Sequence, residues 1–118
     1  MLVVEDDEEV RLSVVANLSE LGYRVLHAAD GESGLQILKD GPRIDLLFTD
    51  VVMPGSVTGP ELAVQAKLVQ PNLAILFTSG YTRDALTTDG RLQEGVQLLS
   101  KPYDQKQLAQ RVRQVLAA

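Results

Sequence analysis

The chain is expected to fold as an α/β protein, a doubly wound parallel sheet of five strands flanked by five helices. Three observations predict it. Short apolar runs rich in β-branched residues alternate five times with segments of helical period. Those runs carry no polar alternation, so both their faces must be buried, which is the environment of a parallel sheet covered by helices. The length of 118 residues suits one domain with one core, and residues 1–118 are assigned to that single domain.

Leu2-Val3-Val4 is the first strand. Val10, Val14, Leu18 and Leu21 then recur at helical spacing, one stripe of an amphipathic helix that stops at Gly22. Tyr23 to Ala29 is the second strand, Asp30-Gly31 turns the chain into a short helix carrying Leu35 and Leu38, and Gly41-Pro42 closes it. Ile44 to Thr49 is a third, continuously apolar strand. Residues 54–60 form a loop by composition, followed by a helix with Leu62, Ala66 and Val69 on one side and ended by Pro71-Asn72. Leu73 to Thr78 is the fourth strand. The segment Thr82 to Thr88 has only Ala85 and Leu86 as an apolar stripe, the weakest of the five helical segments, and Val96 to Ser100 is the fifth strand. After Lys101-Pro102, Asp104 is placed to cap a last helix with Leu108, Val112, Val115 and Leu116 inside and Arg111 and Arg113 toward its carboxyl end, where the dipole favours cations.

Composition narrows the function. The absence of cysteine excludes disulfides, thiolate metal sites and thiol nucleophiles, and points to a cytoplasmic protein. The longest apolar stretch, Leu73 to Phe77, is far short of the roughly 20 residues of a membrane span, so no membrane contact is expected. A net charge of −5 speaks against a nucleic-acid surface, which requires cations to replace counterions. The charge is uneven: residues 1–50 hold 11 acids and 4 bases, while residues 51–118 hold 5 acids and 7 bases. Five of the acids, Glu5 to Glu9, are consecutive.

In open parallel sheets ligands bind at the carboxyl ends of the strands, where strand order reverses. Those ends are Glu5-Asp6-Asp7 after the first strand, Asp50 after the third, Ser79 after the fourth and Lys101 after the fifth. The second strand ends in Ala28-Ala29, as suits an edge strand. If strands one and three are neighbours, Glu5, Asp6 and Asp50 converge, and closely spaced carboxylates repel one another unless a cation is present. A small set of hard oxygen ligands completed by water and phosphate suits Mg²⁺. Asp7, Glu8 and Glu9 are accounted for as an acidic helix start favoured by the dipole. Asp50 follows Leu46-Leu47-Phe48-Thr49 directly and no helix begins after it, which leaves little support for a capping role. A lone lysine such as Lys101 is usually only a solvated charge, and a lone strand-end serine is uninformative. Their combination is what counts: a carboxylate to accept, Mg²⁺ and an ammonium to neutralise phosphoryl oxygens, and a hydroxyl to hydrogen-bond another make a metal-assisted phosphoryl site.

On these residues the sequence resembles the receiver domain of two-component response regulators over essentially its whole length. The resemblance is carried by Leu2-Val3-Val4-Glu5-Asp6-Asp7, by Asp50 with Met53-Pro54 and Gly59, by Thr78-Ser79-Gly80 and by Lys101-Pro102. It implies a flavodoxin-like sheet of strand order 2-1-3-4-5. It also implies that Asp50 accepts a phosphoryl group from a phosphohistidine on a histidine kinase or a histidine phosphotransfer domain, and that the domain then switches conformation. Asp6 would bind Mg²⁺ directly, Glu5 chiefly through metal-bound water, and Asp50 and the backbone carbonyl of Val52 would complete the protein's ligands. Ser79 would be the switch hydroxyl, preferred to Thr78 because the small Gly80 follows it, and Lys101 would contact the phosphate. A phosphorylation-dependent dimer is among the associations implied.

Two features depart from the family pattern: Leu98 stands where an aromatic switch residue is usual, and the loop Gly55 to Gly59 is one residue longer than the commonest form. The runs Phe77 to Thr82 and Leu99 to Tyr103 are similar to receivers attached to hybrid sensor kinases. Two other readings compete with this one. A phosphohydrolase of the haloacid dehalogenase type also uses a strand-end Asp and Mg²⁺, but it wants a second Asp where Val52 stands. A pseudo-receiver that only binds a partner would not need the acid, acceptor, hydroxyl and lysine set. The lone His27 lies within strand two and suggests no phosphotransfer chemistry of its own.

Overall fold

A computed structural model of the chain describes residues 1–51, 55, 57–79, 87–88, 91–92, 96–100 and 103–117, with backbone alone at 79, 87–88, 91–92, 96–97 and 100. In chain order the elements are β1 (Leu2–Val4), α1 (Glu8–Glu20), β2 (Leu26–Ala28), α2 (Gly31–Lys39), β3 (Leu46–Asp50), α3 (Gly59–Val69), β4 (Ala74–Ser79), β5 (Thr87–Thr88), β6 (Arg91–Leu92), β7 (Val96–Ser100) and α4 (Gln105–Ala117). Five strands form one parallel sheet in the order β2-β1-β3-β4-β7, so β7 is the fifth strand of the expected 2-1-3-4-5 arrangement. No helix among the described residues is long and apolar enough to cross a membrane.

Alternation along the strands divides the core in two. Leu2, Val4, Leu47, Val51, Ile75 and Phe77 face one side and pack with Leu38 of α2 and with Leu62, Ala63 and Ala66 of α3. Val3, Leu46, Phe48, Leu76 and Leu99 face the other, against Val14 and Leu18 of α1 and Leu108, Val112 and Val115 of α4. Each such aliphatic side chain, taken fully out of water, contributes about 1.5–3 kcal/mol. On the α1/α4 side, Tyr103 meets Phe48 edge to face, with ring centroids 6.2 Å apart.

The helices begin where short polar side chains satisfy free N–H groups. Asp7 accepts from the Val10 amide at 3.2 Å and Thr58 from that of Glu61 at 3.3 Å. Asp104 and Gln107 form a reciprocal capping box, in which Gln107 N donates to Asp104 Oδ1 at 2.7 Å and Asp104 N donates to Gln107 Oε1 at 2.9 Å. Asp30 accepts from the Ser33 amide at 2.7 Å, and this bond holds its carboxyl below the usual carboxylate range. Because the folded state favours ionised Asp30, its contribution is full above the ordinary carboxylate range and is lost as pH falls through and below it. Asp30→Ala is therefore expected to cost about 1 kcal/mol near neutral pH, with the difference from the native protein closing in acid. Denaturant melts of both proteins at the two pH values test this, and an equal difference in acid would contradict it.

Several expectations shift at the edges. The second strand is three residues and not seven, because its one neighbour, β1, offers only Leu2 to Val4 for pairing. Leu21 and Val69 continue the helical period past the sheet and remain 42% and 38% exposed. Four helices lie among the described residues, and the expected helix between strands four and five falls largely outside them. Of the weakly patterned segment 82–88, residues 82–86 lie outside the described residues, while Thr87–Thr88 pair antiparallel with Arg91–Leu92. Thr87 and Thr88 are adjacent β-branched residues, which favour extended backbone.

Candidate functional site

The chain leaves β1 toward β2 on one side and returns to β3 on the other, so the reversal of strand order falls between β1 and β3. Their carboxyl ends are adjacent: Val4 pairs with Thr49, which makes Glu5 and Asp50 the next pair along. Asp50 in turn is the register partner of Thr78. By alternation from Val3, Phe48 and Leu76, the side chains of Glu5, Asp50 and Thr78 fall on the α1/α4 side. The result is a polar row across three neighbouring strands.

Local hydrogen bonds fix this row. The Glu5 amide donates to Ala28 O at 3.1 Å, carrying the β1–β2 ladder one residue further. Glu5 Oε1 accepts from the Asp7 amide at 3.2 Å, and Glu5 O accepts from Arg11 Nη1 at 3.0 Å. The Val51 amide donates to Thr78 O at 3.1 Å, and Thr49 Oγ1 donates to Asp50 O at 3.1 Å. Glu5 is 2% exposed and Asp50 8%, whereas Asp6 is exposed.

Glu5, Asp6 and Asp50 each offer one carboxylate oxygen, and these three atoms lie within 4.8 Å of one another. Two ionised carboxylates that close repel by roughly 3–4 kcal/mol at an effective dielectric of about 20, and burial of Glu5 and Asp50 limits screening by water. A divalent cation reverses the sign of that interaction. Hard carboxylate oxygens, two of them buried and one open to solvent, fit Mg²⁺, which keeps several waters. The charge and donor set thus suit binding of a cation and of the phosphate that accompanies it.

The other expected site residues divide. Ser79 is the last residue of β4 and pairs with Ser100, the last of β7, which puts it at the same end of the sheet. Lys101 and Val52 lie outside the described residues, as do Met53, Pro54, Gly80 and Tyr81. Arg11 was not anticipated from sequence, while Gly59 and Thr78, which help to carry the resemblance, take places that it did not specify. Arg11 anchors the Glu5 carbonyl from the second turn of α1. Gly59 brings the start of α3 against the Asp50 and Val51 backbone. Thr78 extends the polar row beyond Asp50. For Gly59 the loop composition was a signal; for Arg11 there was none.

The family model for the response regulator receiver domain matches residues 1–113. The sensor kinase CckA of Brucella abortus is 36% identical over 117 residues, spanning 98% of this chain and 12% of that protein. The response regulator receiver protein CpdR of the same organism is 36% identical over 118 residues, spanning 100% of this chain and 97% of that one. Among solved structures, the receiver domain of the hybrid histidine kinase CckA superposes with a TM-score of 0.83 at 41% identity, covering 98% of this chain and 96% of that one.

Proposed function

Because the chain belongs to the response regulator receiver domain family, whose members accept a phosphoryl group in two-component signalling, we propose that Asp50 is its phosphoacceptor. The observation that carries this reading is the convergence of Glu5, Asp6 and Asp50 at the switch point of the sheet. Asp50 is the one of the three that ends a buried central strand, β3, which pairs with β1 on one side and β4 on the other. The match to this family also decides against the haloacid dehalogenase reading.

In the proposed reaction an Asp50 carboxylate oxygen forms the O–P bond as the N–P bond to the donor imidazole breaks. The electron pair of that bond stays on the imidazole nitrogen. Glu5, Asp6 and Asp50, with the Val52 carbonyl, would hold Mg²⁺, which would supply charge neutralisation at the phosphoryl oxygens. Lys101 contacts the phosphoryl group as a cation, and the Ser79 hydroxyl hydrogen-bonds it in the switched conformation. Positioning supplies most of the catalysis such transfers need, so the domain assists its own phosphorylation without being an enzyme acting on a separate substrate. The donor is a histidine kinase or a histidine phosphotransfer domain, a class supported by the 41% identity to the receiver of a hybrid histidine kinase.

Intact-protein mass spectrometry after incubation with acetyl phosphate and Mg²⁺ tests the reading. The expected result is the addition of a single phosphoryl group that maps to Asp50 and is prevented by EDTA. A label on another residue, or none, overturns it. The metal assignment makes its own prediction: Asp6→Ala is expected to weaken Mg²⁺ binding by about tenfold or more, since even outer-shell changes at metal sites cost on the order of 10–100-fold. Calorimetry or chemical-shift titration reads the affinity directly. An unchanged value would remove Asp6 from the site.

A further inference from the structure

The guanidinium of Arg11 stands against the turn that carries two of the three clustered acids. Its Nη1 donates to Glu5 O at 3.0 Å, and its Nε is buried without a hydrogen-bond partner. Arg11 also lines a cleft between the end of β2 and α2, with His27, Ala28, Ser33 and Gln36. Glu5 O belongs to the Glu5–Asp6 peptide, which is planar, so a bond to that oxygen fixes the direction in which the chain enters Asp6. The three acids are not held alike. Glu5 accepts from the Asp7 amide, and Asp50 ends β3, which pairs with β1 and β4. Asp6 is exposed and lies one residue beyond the ladder bond from Glu5 N to Ala28 O, so the peptide that Arg11 holds is what aims its carboxylate.

We propose that Arg11 is a positioning residue of the metal site, acting through the Glu5–Asp6 peptide on the Asp6 carboxylate. The inference rests on the reading of Glu5, Asp6 and Asp50 as Mg²⁺ ligands. A cation at this place has two effects of opposite sign. As a charge, Arg11 repels Mg²⁺ and weakens its binding. As a hydrogen-bond donor it holds the backbone of a ligand in its binding direction, and loss of such outer partners lowers metal affinity. The second effect is the larger here, because it acts through a direct bond at 3.0 Å, whereas the charge is partly exposed to water and salt that screen it. The unpaired Nε offsets part of what that bond contributes to folding, so the main consequence of Arg11 falls on the metal site.

Magnesium chloride titrated into the full chain and read by calorimetry is the probe, and Arg11→Met removes the donors and the charge while keeping an aliphatic stem in the cleft. Arg11→Met is expected to bind Mg²⁺ about five- to tenfold more weakly, near the lower end of what outer partners of metal ligands contribute. The sign decides between the two effects: a residue acting by charge alone predicts tighter binding once its like charge is gone, and that result overturns the proposal. So does native affinity with a lower melting temperature, which would make Arg11 a stabilising contact only. A double-mutant cycle asks whether Arg11 acts through Asp6. In the Asp6→Ala background the Arg11→Met change is expected to weaken Mg²⁺ by about twofold or less, because the carboxylate that Arg11 aims is gone. The same five- to tenfold loss in both backgrounds overturns the proposed route. Should Arg11→Met not fold, Arg11→Gln makes the same comparisons, since its amide stops two bonds short of Nη1. Native protein that binds no Mg²⁺ overturns the metal reading and this inference with it, whereas native binding that Arg11→Met leaves unchanged overturns the Arg11 inference alone.

Discussion

Asp50→Asn is expected to abolish phosphoryl transfer to the chain while leaving it folded and, in metal-free buffer, more stable than the native protein. The amide has nearly the same shape as the carboxylate, so the buried end of β3 keeps its packing. It has no anionic oxygen to attack phosphorus, and labelling by acetyl phosphate should fall below detection. The stability change has a separate origin. Asp50 shares a 4.8 Å cluster with Glu5 and Asp6, and removing one charge of three relieves repulsion that a bound cation would also offset. A gain of roughly 1–3 kcal/mol without Mg²⁺ follows from charges at that spacing. Because Mg²⁺ stabilises the native protein in proportion to its affinity for the folded state, the rise in melting temperature on adding Mg²⁺ should shrink in the variant. Thermal melts with and without Mg²⁺, alongside mass spectrometry, check both parts. Labelling equal to native removes Asp50 as acceptor, and a lower metal-free melting temperature would contradict the repulsion argument.

The polar end of the sheet was legible because two signals coincide there. Leu46 to Thr49 is apolar without interruption, so a charge at position 50 has to emerge where the strand leaves the core; Glu5 follows Leu2 to Val4 in the same way. Sequence also indicated that strand two, ending in alanines, is the edge strand, which the order β2-β1-β3-β4-β7 bears out. What it could not supply are properties set by contact. Helical period runs on through Leu21 and Val69 regardless of where the sheet beneath them stops. The length of β2 depends on how many residues β1 presents. Arg11 reaches the Glu5 carbonyl because α1 folds back over β1, a relation that spacing alone does not encode. The loop composition of residues 54–60 describes Gly55, a turn glycine with a φ of 102°. It does not describe Gly59, which opens α3.

Gly59 is where the second large effect is expected. A Cβ built at this position would stand 2.2 Å from Asp50 O, 2.8 Å from Val51 O and 2.9 Å from Val51 Cα. All three are backbone atoms, so no side chain can swing aside; either the start of α3 or the end of β3 must move. The Gly59 amide also donates to Val51 O at 3.2 Å, which ties the helix to the strand at the point of closest approach. Gly59→Ala is therefore expected to cost about 3 kcal/mol, at the upper end of ordinary overpacking. The displaced atoms include the acceptor's own backbone, and a shift of about 1 Å in a reacting group can cost on the order of a hundredfold in rate. Labelling of Asp50 by acetyl phosphate should slow by roughly 10–100-fold for that reason. Gly22→Ala is the control. Gly22 has a φ of 95° and nothing within 4 Å of an added Cβ, so it loses only about 1–2 kcal/mol of backbone strain, at the far end of α1 from the acids. Denaturant melts and labelling rates on both variants separate instability from misplacement. If Gly59→Ala labels at the native rate, the close approach of α3 contributes packing alone and does not set the position of Asp50.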